Sequence, residues 1–283
     1  NHVLKPYRRK IGPDPASINT CMMGGILANN SSGMCCGVSQ NAYHTLDSLT
    51  FVLPSGTTID TADPPADQIF REREPRMAQG LLELKHEIEA QPGLAARIRS
   101  KYRMKNTTGY SLNAFLDYDR PVEILRHLLI GSEGTLAFIA EAVLNTVADL
   151  PVKYTGLLLF PDLHASCAAI VPLRDAGAMA LELMDRPSLR SVEDQPGVPP
   201  SIKTLPEGAA AILAEFQAED EKARPTLEIQ ARAAVRGLQL VEPARFTHHP
   251  AEQALLWKIR QGLFPSVGAV RESRTTVIIE DVA

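Results

Sequence analysis

The sequence predicts an α+β chain in two parts, and three observations carry that reading. The stretch SLTFVLPSGTTID (Ser48 to Asp60) has the form of a hairpin, two β-rich runs around Pro54-Ser55-Gly56. From Asp67 to Arg103 the pattern changes to helix, with Met77, Leu81, Leu84 and Ile88 spaced to form one apolar stripe. Around Asp149 to Pro151 the composition resets, and beyond it strands and helices alternate.

The elements follow in order. Residues 1 to 45 are rich in Gly, Pro, Asn, Ser and Cys and read as loop with short strands. After the hairpin, the helical stretch breaks at Pro92-Gly93. A helix starts after Pro121, a sharp turn spans Gly131 to Gly134, and a strand runs from about Leu136 to Val147. The second part, residues 151 to 283, gives KYTGLLLF as a strand, a helix from Asp162 to Asp175, AMALELMD as a strand, and a Pro-rich loop near Pro196 to Pro200. AAAILAEFQ is the next strand, followed by a helix carrying Leu227, Ala231, Val235 and Leu238. A strand near Gln239 to Phe246, a helix from Pro250 to Phe264 and a last strand, TTVIIEDVA, complete it. The β-α-β-β-α-β order predicts a ferredoxin-like layer.

Composition narrows the function classes. The 283 residues carry 29 basic and 33 acidic side chains, a net charge of −4, with the signs interspersed. KPYRRK (Lys5 to Lys10) is the one dense basic cluster, so no nucleic-acid partner is expected. Cys21, Cys35, Cys36 and Cys167 lack the C-x-x-C spacing of metal ligands and make no disulfide framework, so reduced thiols are expected. His248-His249 lie next to each other on a strand and point to opposite faces, which argues against a shared metal. No apolar run reaches the roughly 18 residues of a membrane span, and no charged-then-apolar leader pattern opens the chain. The expected location is cytoplasmic or peripheral to the inner membrane.

Two glycine clusters carry the chemistry. MGGILANNSSGM (Met23 to Met34) combines Gly24, Gly25 and Gly33 with Asn29, Asn30 and Ser32. Glycines let a backbone approach a bulky ligand, and amides and hydroxyls supply neutral donors and acceptors. The stretch is neither a Walker loop nor a G-x-G-x-x-G fingerprint, and on chemistry alone a ligand-contacting loop and an ordinary turn fit it equally. Gly131-Ser132-Glu133-Gly134 repeats the composition, joining a helix to a strand beside one carboxylate.

IGPDPASINTCMMGGILANNSSGMCCG (Ile11 to Gly37), the hairpin behind it and IGSEGTLAFIAEAVL (Ile130 to Leu144) resemble the flavin domain of the vanillyl-alcohol oxidase and p-cresol methylhydroxylase (PCMH) superfamily. The branch they are most similar to is the FAD-linked D-2-hydroxyacid dehydrogenases, and GPDPAS with GMCCG resembles long members that carry an iron–sulfur region further along. The resemblance implies the C-terminal part of a PCMH-type FAD-binding domain over residues 1 to 150. A ferredoxin-like substrate domain would follow over residues 151 to 283. It implies FAD lined by Gly24, Gly25, Asn29, Asn30, Ser32 and Gly33, with Gly131, Glu133 and Gly134 in a later contacting turn. Lys105, Asn106, Gly109 and Tyr110 of KNTTGYSLNAF resemble the segment before that turn.

LLWKIRQGLF (Leu255 to Phe264) resembles the family's Leu-Trp-x-x-Arg helix, which makes Arg260 the expected grip on a substrate carboxylate, on one helical face with Trp257 and Phe264. The reaction so implied is oxidation of a D-2-hydroxy acid such as D-lactate, glycolate or D-2-hydroxyglutarate. A downstream electron acceptor, an iron–sulfur region of the same protein, would follow. Two other readings stay open: a flavoenzyme of the same superfamily with a non-acid substrate, and a non-catalytic binding module.

The chain departs from the pattern at its ends. Asn1 is not a methionine and the last strand stops without a turn, so an internal segment of a longer protein is expected. Relatives have an earlier phosphate-holding loop, which would precede Asn1, and metal-binding histidines with the catalytic base, which would follow Ala283. Where some relatives have a lysine, this chain has Glu280-Asp281. The segment alone is expected to bind FAD weakly and not to turn over.

Overall fold

The computed structural model describes residues 1–15, 17–18, 21–33, 35–196 and 198–269, with 262–269 described as backbone only. The expected strand at Thr275 to Ala283, Glu280-Asp281 and the side chain of Phe264 lie outside the described residues. The chain forms two compact units, with the break between Ala148 and Asp149.

The first unit opens with a short strand β1 (Arg9–Ile11), helix α1 (Met23–Asn29) and a single turn α2 (Ala42–Thr45). Strands β2 (Leu46–Val52) and β3 (Thr58–Asp60) form the expected hairpin, pairing Phe51 with Ile59. Helices α3 (Ala66–Arg73), α4 (Pro75–Glu89) and α5 (Pro92–Lys101) follow, then α6 (Ala114–Asp117) and α7 (Pro121–Leu129). Strands β4 (Phe138–Leu144) and β5 (Thr146–Ala148) close the unit. The sheet order is β3-β2-β4, antiparallel throughout, and β5 instead returns to pair with β1. Leu49, Phe51 and Ile59 from the sheet share one core with Phe70, Ile124, Leu129 and Ile130.

Four expectations change here. Residues 23 to 29, read as loop, form a helix, because Ile26 and Leu27 are buried in this core and their burial offsets the roughly 1 kcal/mol that each helical glycine costs. The long helical stretch breaks at Glu74 as well as at Pro92, since Pro75 starts a new helix and restricts the residue before it. The buried face of α4 is Ala78, Leu81 and Ile88, while Met77 and Leu84 are exposed. Leu81 and Ile88 keep their expected place, and Lys85 lies largely buried on the same helix, its Nζ donating to the Phe115 carbonyl at 3.1 Å. The strand read over residues 136 to 147 divides into two with different partners.

The second unit is built on β6 (Val152–Phe160), α8 (Leu163–Asp175), β7 (Ala180–Asp185), α9 (Arg186–Val192), β8 (Ala210–Ala218), α10 (Arg224–Ala234), β9 (Arg245–Thr247) and α11 (Pro250–Ala269). Its sheet runs β7-β8-β6-β9 with antiparallel neighbours, which is the ferredoxin-like order. Asp162 and Asp185 cap α8 and α9, accepting from the N–H groups of Ala165 and Ser188. Alternation sends Tyr154, Leu158, Phe160, Ile212, Ala214 and Phe216 into the core with α8 and α10. Leu159, Ala211, Leu213 and Met184 face the opposite way, packing with Leu189 of α9 and Ile259 of α11. The strand read over Gln239 to Phe246 shortens to β9, because Pro243 has no N–H to give a ladder. Among the described residues, no helix is long and apolar enough to cross a membrane.

Candidate functional site

The first unit brings its two glycine clusters together. The turn after α7 holds Gly131, Glu133 and Gly134 at φ of 92°, 52° and 72°, in the left-handed region. Its N–H groups cap the end of α1: Gly131 donates to the Leu27 carbonyl at 3.0 Å and Glu133 to the Ala28 carbonyl at 2.8 Å. Side chains tighten the junction, since Asn29 Nδ2 donates to Glu133 Oε1 at 2.6 Å and Ser31 Oγ donates to Asn29 Oδ1 at 2.7 Å. Asn30 is the left-handed cap of α1, and its buried Oδ1 accepts from the Tyr43 N–H at 3.3 Å.

Ser32 and Gly33 instead meet Asp14. The Ser32 carbonyl accepts from the Asp14 N–H at 2.7 Å, and Asp14 accepts from the N–H groups of Cys35 and Cys36 at 3.0 and 3.2 Å. Burial raises the Asp14 carboxyl above its ordinary range, and burial, with Asp14 beside it, pushes the Cys36 thiol up to about 11. A Cβ on Gly33 would lie 2.3 Å from the Asp14 backbone, so this glycine serves close packing of two chain segments. Asp14 is not among the residues expected at the site; an acid between two prolines in GPDPAS is its only local signal, that of a turn. Gly24 and Gly25 stand in the exposed first turn of α1, where an added Cβ would meet nothing within 4 Å.

The KNTTGYSLNAF segment adjoins this junction. Tyr110 Oη and Thr135 Oγ1 lie 2.8 Å apart, and Ser111 Oγ donates to the Ile130 carbonyl at 2.8 Å. Asn30, Asn41, Tyr43, Tyr102, Asn106 and Asn113 line a small cavity there. Asn106 Nδ2 and Asn113 Oδ1 are buried with no hydrogen-bond partner among the described residues, which leaves one donor and one acceptor unspent.

In the second unit, Trp257 and Arg260 descend from α11 onto the sheet. Arg260 Nε lies 2.7 Å from Glu182 Oε2 of β7, and both side chains are largely buried. Trp257 Nε1 donates to Glu215 Oε2 at 2.7 Å, and Thr155 Oγ1 donates to the same oxygen at 2.8 Å. Glu182 and Glu215 are not among the expected site residues; a single carboxylate inside the apolar run AAAILAEFQ is the one local signal for Glu215. His248 is engaged at both ring nitrogens, by the Lys153 carbonyl at 2.7 Å and Glu228 at 3.1 Å.

Comparison with known proteins adds the family. Residues 1–62 match the FAD binding domain family and residues 150–283 match the C-terminal domain of FAD linked oxidases. The chain is 29% identical to D-2-hydroxyglutarate dehydrogenase of Pantoea ananatis over 65% of its own length and 18% of that protein's. It is 33% identical to glycolate oxidase subunit GlcD of Bacillus subtilis over 29% of the chain and 18% of that protein. To D-lactate dehydrogenase of Archaeoglobus fulgidus it is 32% identical over 42% of the chain and 23% of that protein. The matched stretches thus span about a fifth of these relatives. A solved alkyldihydroxyacetonephosphate synthase shares the fold, with a TM-score of 0.54 at 16% identity, covering 94% of this chain and 40% of that one.

The residues present fit a cofactor with phosphates and a polar ring. The exposed glycines at the start of α1 leave its backbone N–H groups open to approach, and the unspent amide atoms of Asn106 and Asn113 sit beside Asn30. With an FAD binding domain matched in the first unit and an oxidase C-terminal domain matched across the second, the chain belongs to the FAD-linked flavoproteins of the vanillyl-alcohol oxidase and PCMH type, and its cofactor is FAD.

Proposed function

We propose that the full-length protein oxidises a D-2-hydroxy acid to the 2-oxo acid. In this reading Gly24, Gly25, Asn29, Asn30, Ser32 and Gly33 line FAD, with Gly131, Glu133 and Gly134 in the adjoining turn, and Arg260 holds the substrate carboxylate. The observation that carries the proposal is the set of relatives, which are named for D-2-hydroxyglutarate, glycolate and D-lactate.

FAD, when bound, supplies the hydride acceptor. The chain's own work is to hold and orient. Asn29 and the backbone around α1 offer neutral donors, which suit a ring that gains electron density without a fixed cation beside it. Arg260, presented from one turn beyond Trp257, has the planar guanidinium that grips a carboxylate with two parallel hydrogen bonds. The electrons then leave to an acceptor, for which the resemblance of GPDPAS and GMCCG to longer members suggests an iron–sulfur region of the same protein.

Purified full-length protein is expected to be yellow and to bleach on anaerobic addition of D-lactate, glycolate or D-2-hydroxyglutarate. A protein that stays colourless after reconstitution with FAD ends the proposal. Arg260→Lys is expected to raise KM for the acid at least tenfold while leaving FAD affinity intact, since a point charge replaces a bidentate fork. Equal loss of both marks Arg260 as structural.

A further inference from the structure

The sheet face beneath α11 holds two carboxylates to which the proposed reaction assigns no role. Glu215 is 1% exposed and is satisfied by three neutral donors: Trp257 Nε1 and Thr155 Oγ1 on Oε2, and Gln217 Nε2 on Oε1 at 2.7 Å. Glu182, on the neighbouring strand, meets Arg260 Nε. Because Ala180 pairs with Glu215 and Glu182 with Leu213, the two acids are diagonal neighbours on one face. Trp257 and Arg260 are three residues apart on α11, so one turn of helix is held at two points by two adjacent strands.

Apolar contacts alone, such as that of buried Ile259, fix how far α11 stands from the sheet but leave its rotation loosely set. Directional hydrogen bonds in a dry interface fix that rotation as well. We infer that Glu182 and Glu215 are positioning residues for Arg260. Glu215 locks the indole and with it the rotation of α11, and Glu182 sets the plane of the guanidinium before an acid arrives. This rests on the reading of Arg260 as the carboxylate clamp. Burying a carboxylate is otherwise costly, and a leucine at residue 215 would pack an apolar helix as well.

The test uses the full-length flavoprotein for steady-state kinetics and the 283-residue chain for fluorescence, where Trp257 is the sole tryptophan. Glu182→Ala and Glu215→Leu are expected to raise KM for D-lactate or D-2-hydroxyglutarate about tenfold, the scale of one charge-assisted hydrogen bond, with kcat and FAD affinity little changed. Glu182→Gln and Glu215→Gln keep an acceptor oxygen and are expected to restore the wild-type KM. Trp257 emission in the chain should change saturably with added acid, and its midpoint should rise in the Ala and Leu variants as KM does. Wild-type KM in Glu182→Ala and Glu215→Leu overturns the inference, as do Gln variants as defective as the others. If Arg260→Lys is defective while these variants are not, the clamp stands and the positioning roles fall; if Arg260→Lys also keeps the wild-type KM, both fall.

Discussion

Asn29 and Glu133 stand 104 positions apart in the chain and join through one short hydrogen bond of 2.6 Å, Asn29 Nδ2 to Glu133 Oε1. The bond makes one structure of two glycine clusters, since the turn bearing Glu133 also closes the carbonyl end of α1. Glu133→Ala is therefore expected to weaken FAD binding about tenfold, the size of one hydrogen bond to a charged group. Thermal unfolding of the apo chain should move little, because the Glu133 side chain is exposed. Isothermal titration with FAD checks this, with Glu133→Gln, which keeps the acceptor oxygen, remaining near wild type.

The glycines of the first cluster should separate by role. Gly24→Ala and Gly25→Ala place a methyl group in open space on a helix and are expected to stabilise the apo chain by about 0.5–1 kcal/mol each while reducing FAD affinity. Gly33→Ala drives a methyl into the Asp14 backbone at φ of 122° and should cost about 2–4 kcal/mol. Urea unfolding of the three variants, followed by FAD titration of those that fold, tests both halves. Undiminished FAD affinity in Gly24→Ala and Gly25→Ala would remove these residues from the flavin site.

His127 provides a pH-dependent element of stability. It is buried, stacks on Tyr118 with ring centroids 3.9 Å apart, and its Nδ1 lies 2.9 Å from the Glu123 carbonyl. Burial lowers its pKa from 6.5 to about 4. Between those values the unfolded chain takes up the proton and the folded chain does not, so stability is complete above about pH 6.5 and falls toward pH 4. The loss approaches about 3 kcal/mol at the lower end, at about 1.4 kcal/mol per pH unit. Urea melts at pH 7 and pH 4.5 should show a smaller difference for His127→Gln than for the wild type. An equal difference would assign the acid sensitivity to other groups.

In the second unit, Gly156 of β6 is paired with Phe246 of β9 and leaves no room for a side chain. An added Cβ would sit 2.7 Å from a Phe246 ring carbon and 2.9 Å from the Arg245 carbonyl oxygen. Gly156→Ala is expected to loosen β9 and cost about 2–3 kcal/mol. Hydrogen exchange should report the loss first at the Thr247 and Arg245 amides, which face Thr155 and Leu157. Protection retained at both would show that Phe246 yields without strand separation.

Much of the fold was legible in local chemistry. Pro54-Ser55-Gly56 marked the hairpin turn, Pro121 the start of α7, and the run of strands and helices after residue 150 the ferredoxin-like layer. What stayed hidden depended on partners distant in sequence. Met23 to Asn29 is helical because Ile26 and Leu27 have a core to enter, which no propensity reveals for a stretch with two glycines. Lys85 of α4 reaches the Phe115 carbonyl, a contact across 30 positions. The helix that carries Arg260 was legible from its pattern, whereas the contact of Arg260 with Glu182, 78 positions earlier, was not, since Glu182 is only one acid in an amphipathic strand. Tertiary packing decides such pairs, and a single sequence does not encode them in any local period.

The sheet order of the second unit also governs when it can assemble. β6 leaves the ribosome first, yet its neighbours are β8 and β9, never β7, the strand that follows it. A nascent chain that has not reached Ala210 therefore carries its longest apolar strand with both edges open, while β7 waits for the same absent β8. Such edges template aggregation. Synthesis stalled or truncated within residues 161–209 should yield insoluble chains that recruit a chaperone, whereas release after Ala218 supplies the strand that both halves of the sheet require.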